Sequence, residues 1–278
     1  MIISTLIKIS FLTLAIIISM TIALKLNKRF KTNFDKYTKG ETKFNLKHVA
    51  LAALAMPVVL WAVINMPENF IVYFYVFGMT YVLGTCFFLI SGKWYTALLG
   101  LVYPMLYFYY WNIYFFNIIA ILIASFGILF MLQIMSWKIV KYFTVLFVIL
   151  DIIMVLYTKM MVVAATKIMD NNIPAMIMLP ANEVTTTGVA LGLGDIFLTG
   201  LLCATFIRES NITENVGIKF SWMTAIIIGM LLFISSILLP STALPATVHV
   251  IIGFLISYSV YKLQYVRNFI NKEVKTWV

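Results

Sequence analysis

Two aspartates stand in apolar surroundings that ordinarily exclude charge. Asp151 lies in TVLFVILDIIMVLY, separated from Lys141 by nine uncharged residues, and Asp195 lies in TTTGVALGLGDIFLTGLLCATF. An Asp at the centre of a membrane span costs about 2.5–3.5 kcal/mol on insertion scales, so such acids mark a functional site by default. The two are 44 positions apart, in consecutive long apolar runs joined by a connector. Antiparallel neighbours would bring them to similar depth. Facing carboxylates in a low dielectric cannot both ionise, and the pair shares one proton. One carboxylate can then take a proton from water while the other, protonated, polarises a carbonyl, which is the chemistry of an aspartate-dyad peptidase. The same residues could instead be packing acids or two links of a proton or cation relay.

The sequence beside each acid adds to this. Gly192-Leu193-Gly194 precedes Asp195; the glycines loosen a helix and let another backbone approach. Gly188, Gly192 and Gly200 also have the spacing of a small-residue packing seam. Further on, LPSTALPA at 239–246 opens the last apolar run. Pro240 and Pro245 remove helical hydrogen bonds at membrane depth, where exposed backbone is tolerated only against protein or a water-filled cavity. His249, one turn later, reads as a hydrogen-bonded packing residue or as a tuner of the acids. No metal or cofactor is implied: His48 and His249 are too few for a zinc site. Cys86 and Cys203 sit in apolar runs as small buried hydrophobes.

The elements that must hold these residues follow from composition. Of 278 residues, 63% are apolar and 11% charged, with a mean hydropathy of +1.02. An average soluble domain is roughly 45–50% apolar and about 25% charged. A water-soluble enzyme and a disordered chain are both excluded, and an all-α polytopic membrane protein remains. Length and breaker signals predict nine transmembrane helices, at about 2–24, 49–66, 70–90, 94–111, 113–135, 139–159, 187–206, 220–240 and 242–263. Residues 25–48 read as a basic loop. Residues 160–186 read as a semi-polar linker, either an external loop at the interface or a mobile gate that pairs with an unwound strand by β-addition. The chain divides into an N-terminal five-span bundle, 1–135, and a four-span bundle, 136–278, that carries both acids.

With the N-terminus outside and the C-terminus cytoplasmic, seventeen of the twenty Lys and Arg fall in cytoplasmic loops and the tail. Only Lys8, Lys159 and Lys167 do not, a strong positive-inside bias. The net charge of +10 is thus an orientation signal and not a nucleic-acid footprint. The first apolar stretch reads as a retained span rather than a cleaved signal.

An intramembrane Asp in one span, GLGD in the next and Ala-Leu-Pro two spans later together resemble the intramembrane aspartyl proteases of the presenilin and signal peptide peptidase family. Asp151 to Lys159 (DIIMVLYTK) and Gly192 to Phe197 (GLGDIF) are similar to the two motifs of archaeal presenilin-like members. The resemblance covers roughly 139–263, and it departs at Leu150, where the family usually has Tyr, and at Thr242, where its last motif often begins with Pro. Type IV prepilin peptidases share a Gly-x-Gly-Asp motif but lack the Ala-Leu-Pro span. The resemblance implies a GxGD-type intramembrane aspartic endopeptidase without cofactor, resident in a prokaryotic cell membrane. Asp151 and Asp195 would be catalytic, with Gly192, Leu193, Gly194, Ala243, Leu244 and Pro245 near the substrate. Its partners would be transmembrane-helix proteins. The N-outside sense matches signal peptide peptidases, so type II spans or remnant signal peptides are the expected substrates. A proton- or cation-coupled transporter or leak channel using the same acids is the rival class.

Overall fold

A computed structural model describes the backbone of residues 2–38, 44–179, 189–238 and 245–276, and the side chains of 5–38, 44–179, 190–238 and 245–263. Its helices are α1 (Ile2–Thr38), α2 (Leu46–Asn65), α3 (Glu68–Ser91), α4 (Val102–Tyr109), α5 (Ile113–Ile134), α6 (Trp137–Ile152), α7 (Met160–Asp170), α8 (Leu193–Glu209), α9 (Glu214–Leu238) and α10 (Ala246–Thr276). Among the described residues, seven helical segments are long and apolar enough to cross a membrane. Large apolar side chains such as Leu54, Phe74, Phe77 and Tyr81 stand exposed around the bundle. A surface of that kind is stable only against lipid, so the chain is an integral, multi-pass membrane protein.

Three elements differ from the sequence reading. Helix α1 continues through the Lys-rich stretch to Thr38. Phe30 and Phe34, one turn apart, are buried under the charged face, Phe34 meets Phe130 edge-on, and Asn33 donates to the Leu89 carbonyl. The charges there ride on an amphipathic helix and not on a loop. The segment expected as the fourth span is a 3₁₀ turn over Trp94–Leu101 followed by the short α4. A Cβ at Gly84 would strike the Ala97 carbonyl, and one at Gly100 would strike backbone of Thr80 and Gly84. The 3₁₀ turn therefore lies backbone to backbone on α3. The seventh span is helical only over Leu193–Glu209; the apolar residues before it form a strand.

Helix α8 lies at the centre. Nearly every residue from Ile196 to Ile207 is buried, as expected of a helix that is apolar all round. It packs on α5, α6, α9, α10 and α1, and the hydrophobic core runs continuously from α1 through α5 to α10. Gly200 faces Ile128 of α5 so closely that a Cβ would overlap the isoleucine side chain. Phe206 contacts Trp137, Phe220, Phe254, Tyr258 and Tyr261, an aromatic cluster that gathers one end of α6, α8 and α9 against the middle of α10. Arg208 donates to the Leu132 and Met135 carbonyls and so closes the C-terminus of α5. Helix α2 is the least buried of the long helices: only Val49 is buried, and it rests on α6 and α7 alone among its closely packed neighbours. Its start is fixed by Asn45, which accepts from the Lys47 and His48 amides while His48 Nδ1 accepts from the Asn45 N–H.

Gly200→Val should lower thermal stability in detergent by about 1–3 kcal/mol through overpacking. Adding Ile128→Ala should recover part of the loss, which a melting series on the two single variants and the double variant would read.

Candidate active site

Asp151 occupies the last turn of α6, and the helix then widens into a single π turn over Ile153–Tyr157. The Thr158 N–H reaches back to the Ile153 carbonyl, and Lys159 follows in the left-handed region with φ of 56°. The regular helix thus ends just past the acid. Asp151 is 3% exposed, and its Oδ2 accepts from Thr247 Oγ1 at 2.6 Å. The Thr247 backbone N–H also donates to this carboxyl. Thr247 lies in the first turn of α10, two residues after Pro245, so Asp151 occupies the N-terminal end of that helix, where unpaired N–H groups and the helix dipole favour an acidic group.

Asp195 lies in the first turn of α8 and is half-buried. It is near enough to Asp151 for each charge to feel the other. Measured from the aromatic cluster, Asp151 is fourteen residues beyond Trp137 and Asp195 eleven residues before Phe206. At 1.5 Å per residue these are about 21 Å and about 17 Å, so antiparallel α6 and α8 carry the acids to similar depth. A Cβ on Gly192 would lie 3.2 Å from Asp195 Oδ2, tighter than a normal contact. On Gly194 it would meet Phe147 Cζ at an ordinary 3.5 Å. Gly192 therefore clears space for the Asp195 carboxyl, and Gly194 does not.

Before α8 the chain forms a two-stranded antiparallel hairpin, β1 (Met176–Leu179) and β2 (Val189–Gly192). Opposed pairs are Met176 with Gly192, Ile177 with Leu191, Met178 with Ala190 and Leu179 with Val189. The Leu193 N–H continues the ladder to the Ala175 carbonyl. By the two-residue alternation, Ala190 and Gly192 turn their peptide groups away from β1. No described residue bonds the Ala190 N–H or C=O or the Gly192 N–H. The segment leading into β1 is held from outside: Tyr107 donates to the Asn171 carbonyl, Trp111 to Asn172, and Tyr75 to Pro174.

A cavity of about 250 Å³ opens between α2 and α6, lined by Ala52, Ala53 and Met56 on one side and Phe143, Phe147 and Leu150 on the other. It is apolar, and it reaches the residue before Asp151 and the ring beside Gly194. At the far end of α2, Lys167 Nζ donates to the Ile64 and Met66 carbonyls at 2.8 and 2.6 Å, tying α7 to the helix C-terminus.

Asp151, Asp195, Gly192, Leu193, Gly194 and Pro245 thus belong to one neighbourhood of helix ends and strand. Ala243 and Leu244 lie outside the described residues, as do Pro180, Gly188 and Pro240. His249 Nε2 is 2.6 Å from Ser235 Oγ on α9, and its buried Nδ1 has no hydrogen-bond partner among the described residues. Residues 160–186 are neither simple loop nor wholly irregular, since they contain α7 and β1. The sequence reading does not single out Thr247 or Asn117. A Thr two residues after the proline that opens a span, and an isolated Asn in an apolar span, are the signals available for them.

Thr247→Val should destabilise the protein by about 1–3 kcal/mol, because Asp151 loses a buried hydroxyl donor. Thr247→Ser should stay near wild type; calorimetry in micelles compares them.

Among solved structures, the chain is similar to a presenilin family intramembrane aspartate protease determined in a C222 crystal form. The two are 16% identical, the match covers 91% of this chain and 99% of that one, and the TM-score is 0.62. No family model matches the chain, and no curated protein matches it. At this level of identity the likeness establishes the architecture: the chain has the fold of that presenilin-family intramembrane aspartate protease.

Proposed function

We propose that the protein is an intramembrane aspartic endopeptidase of the GxGD type, with Asp151 and Asp195 as its catalytic pair. The observation that carries this reading is the convergence of two carboxyl groups, at the end of α6 and the start of α8, beside a strand edge that no described residue pairs. The shared fold supports it. A proton relay would use the same acids but has no need of that edge.

In this mechanism a substrate helix enters between α2 and α6, over an apolar wall that matches its own side chains. Its amides are hydrogen-bonded internally and must be released before attack. An unwound stretch pairs with the open β2 edge, exchanging hydrogen bonds with Ala190 and Gly192. Gly192 is three residues from Asp195, so a peptide bond held there lies beside the acids. The ionised carboxyl takes a proton from water, whose oxygen adds to the carbonyl carbon. The protonated carboxyl gives its proton to the carbonyl oxygen, forming a gem-diol. The diol collapses as the C–N bond breaks. A proton passes to the leaving amine, giving a new carboxyl and a new amino terminus.

The full topology is nine spans with the N-terminus outside, the segments 94–109 and 193–209 completing the seven longer helices. The four-span half, 136–278, holds the chemistry. Substrates are type II spans, including remnant signal peptides, in a prokaryotic cell membrane. Labelling of cysteines introduced at residues 30–36 by an impermeant reagent from outside intact cells would contradict this orientation.

Purified protein in liposomes should cleave a labelled type II transmembrane peptide faster than the reversed sequence. Asp151→Asn and Asp195→Asn should each reduce cleavage by about a thousandfold or more while inserting normally. Retained cleavage in either variant defeats the proposal. Gly192→Ala should cost more activity than Gly194→Ala, because only the former crowds the Asp195 carboxyl; the reverse order would contradict that role for Gly192.

A further inference from the structure

The two edges of the hairpin are treated differently. Met178 on β1 turns both peptide groups away from β2, and a single side chain takes them: Asn117 Nδ2 donates to the Met178 carbonyl at 2.9 Å, and Asn117 Oδ1 accepts from the Met178 N–H at 3.0 Å. The carboxamide stands in for a neighbouring strand. Asn117 lies early in α5, 7% exposed, among Phe116, Ile119 and Ala120. A buried amide without partners is costly in such surroundings, so these two bonds hold β1 at one height against α5.

The pairing carries that height to the acids. Met178 stands opposite Ala190 and Met176 opposite Gly192. A one-residue slip would exchange the inward and outward peptide groups along β2. The outward set would then be centred on Leu191, and the spacing between the open edge and Asp195 would change by one residue. No other described side chain makes a bidentate contact with either strand.

We propose that Asn117 is a positioning residue: by occupying the outer edge of β1 and fixing the hairpin's register, it determines which substrate bond lies beside Asp151 and Asp195. This rests on the protease reading above. Asn117 acts through Met178 and β2 and does not touch the substrate.

The test uses the full chain in liposomes with the labelled type II peptide, mass spectrometry of the products and hydrogen exchange at the Met178 amide. Wild type should give one dominant cut. Asn117→Ala should spread cleavage over adjacent bonds, lower kcat/KM about tenfold and speed exchange at Met178. Asn117→Asp keeps an acceptor for the Met178 N–H but loses the donor to its carbonyl, so it should fall between the two. A purely structural role predicts lost activity with an unchanged cut, and that result, or wild-type rate and position in Asn117→Ala, overturns the proposal. If Asn117→Ala does not fold, a wild-type cut pattern in Asn117→Asp overturns it. Should wild type cleave nothing, or Asp195→Asn still cleave, the protease reading is what fails. Met178 exchange then decides alone whether Asn117 pins the hairpin, and unchanged exchange refutes it.

Discussion

A carboxyl group inside a bilayer has no water to solvate it, and Asp151 draws on the beginning of another helix instead. The Thr247 hydroxyl and amide at the start of α10 both donate to it. Because a buried polar group without partners costs several kcal/mol in lipid, α6 must end where α10 begins. Asp195, in the first turn of α8, brings a third helix end to the same place. The opposite ends of α6 and α8 meet the middle of α10 around Phe206, where rings from four helices pack together. An apolar clamp at one end and a polar junction at the other leave little freedom for the acids to drift apart.

Irregular backbone is concentrated around that junction. The π turn follows Asp151, the hairpin precedes Asp195, and Pro245 precedes Thr247. Elsewhere the bundle is mostly plain helix, apart from the 3₁₀ turn lying on α3. Non-helical backbone at membrane depth needs protein or water beside it. Here protein supplies much of the need: Tyr75, Tyr107, Trp111 and Asn117, from α3, α4, α5 and the α4–α5 turn, all bond the chain between Asn171 and Met178. The N-terminal half therefore shapes the approach to a site whose acids it does not contribute. The β2 edge is left unpaired by the described residues, and a strand edge is a template for an extended peptide.

Much of this could be read from the residues. Two lone acids in apolar runs stood out because charge in lipid is costly, and GLGD marked the second by its glycines. The long helices followed from apolar length. Other features were hidden for physical reasons. The Lys residues after Lys25 look like a loop by charge count, yet Phe30 and Phe34 repeat at helical spacing and bury beneath them. Val189 to Gly192 continues the apolar run of α8, so length alone cannot separate strand from helix; the strand exists because β1, from a linker that reads as semi-polar, pairs with it. Gly192 and Gly194 look equivalent in sequence, and only the position of the Asp195 carboxyl distinguishes them. Thr247 and Asn117 matter through partners 96 and 61 residues away, which no local pattern encodes.

The central claim is that Asp151 and Asp195 act as one unit on a tetrahedral adduct. Binding of a hydroxyl-bearing transition-state mimic to the purified protein tests this without relying on turnover. One mimic should bind per chain, and replacing either aspartate with Asn should weaken binding by about a hundredfold or more, since such mimics owe their affinity to contacts made at the reacting centre. Equal affinity in wild type and both variants would contradict the account.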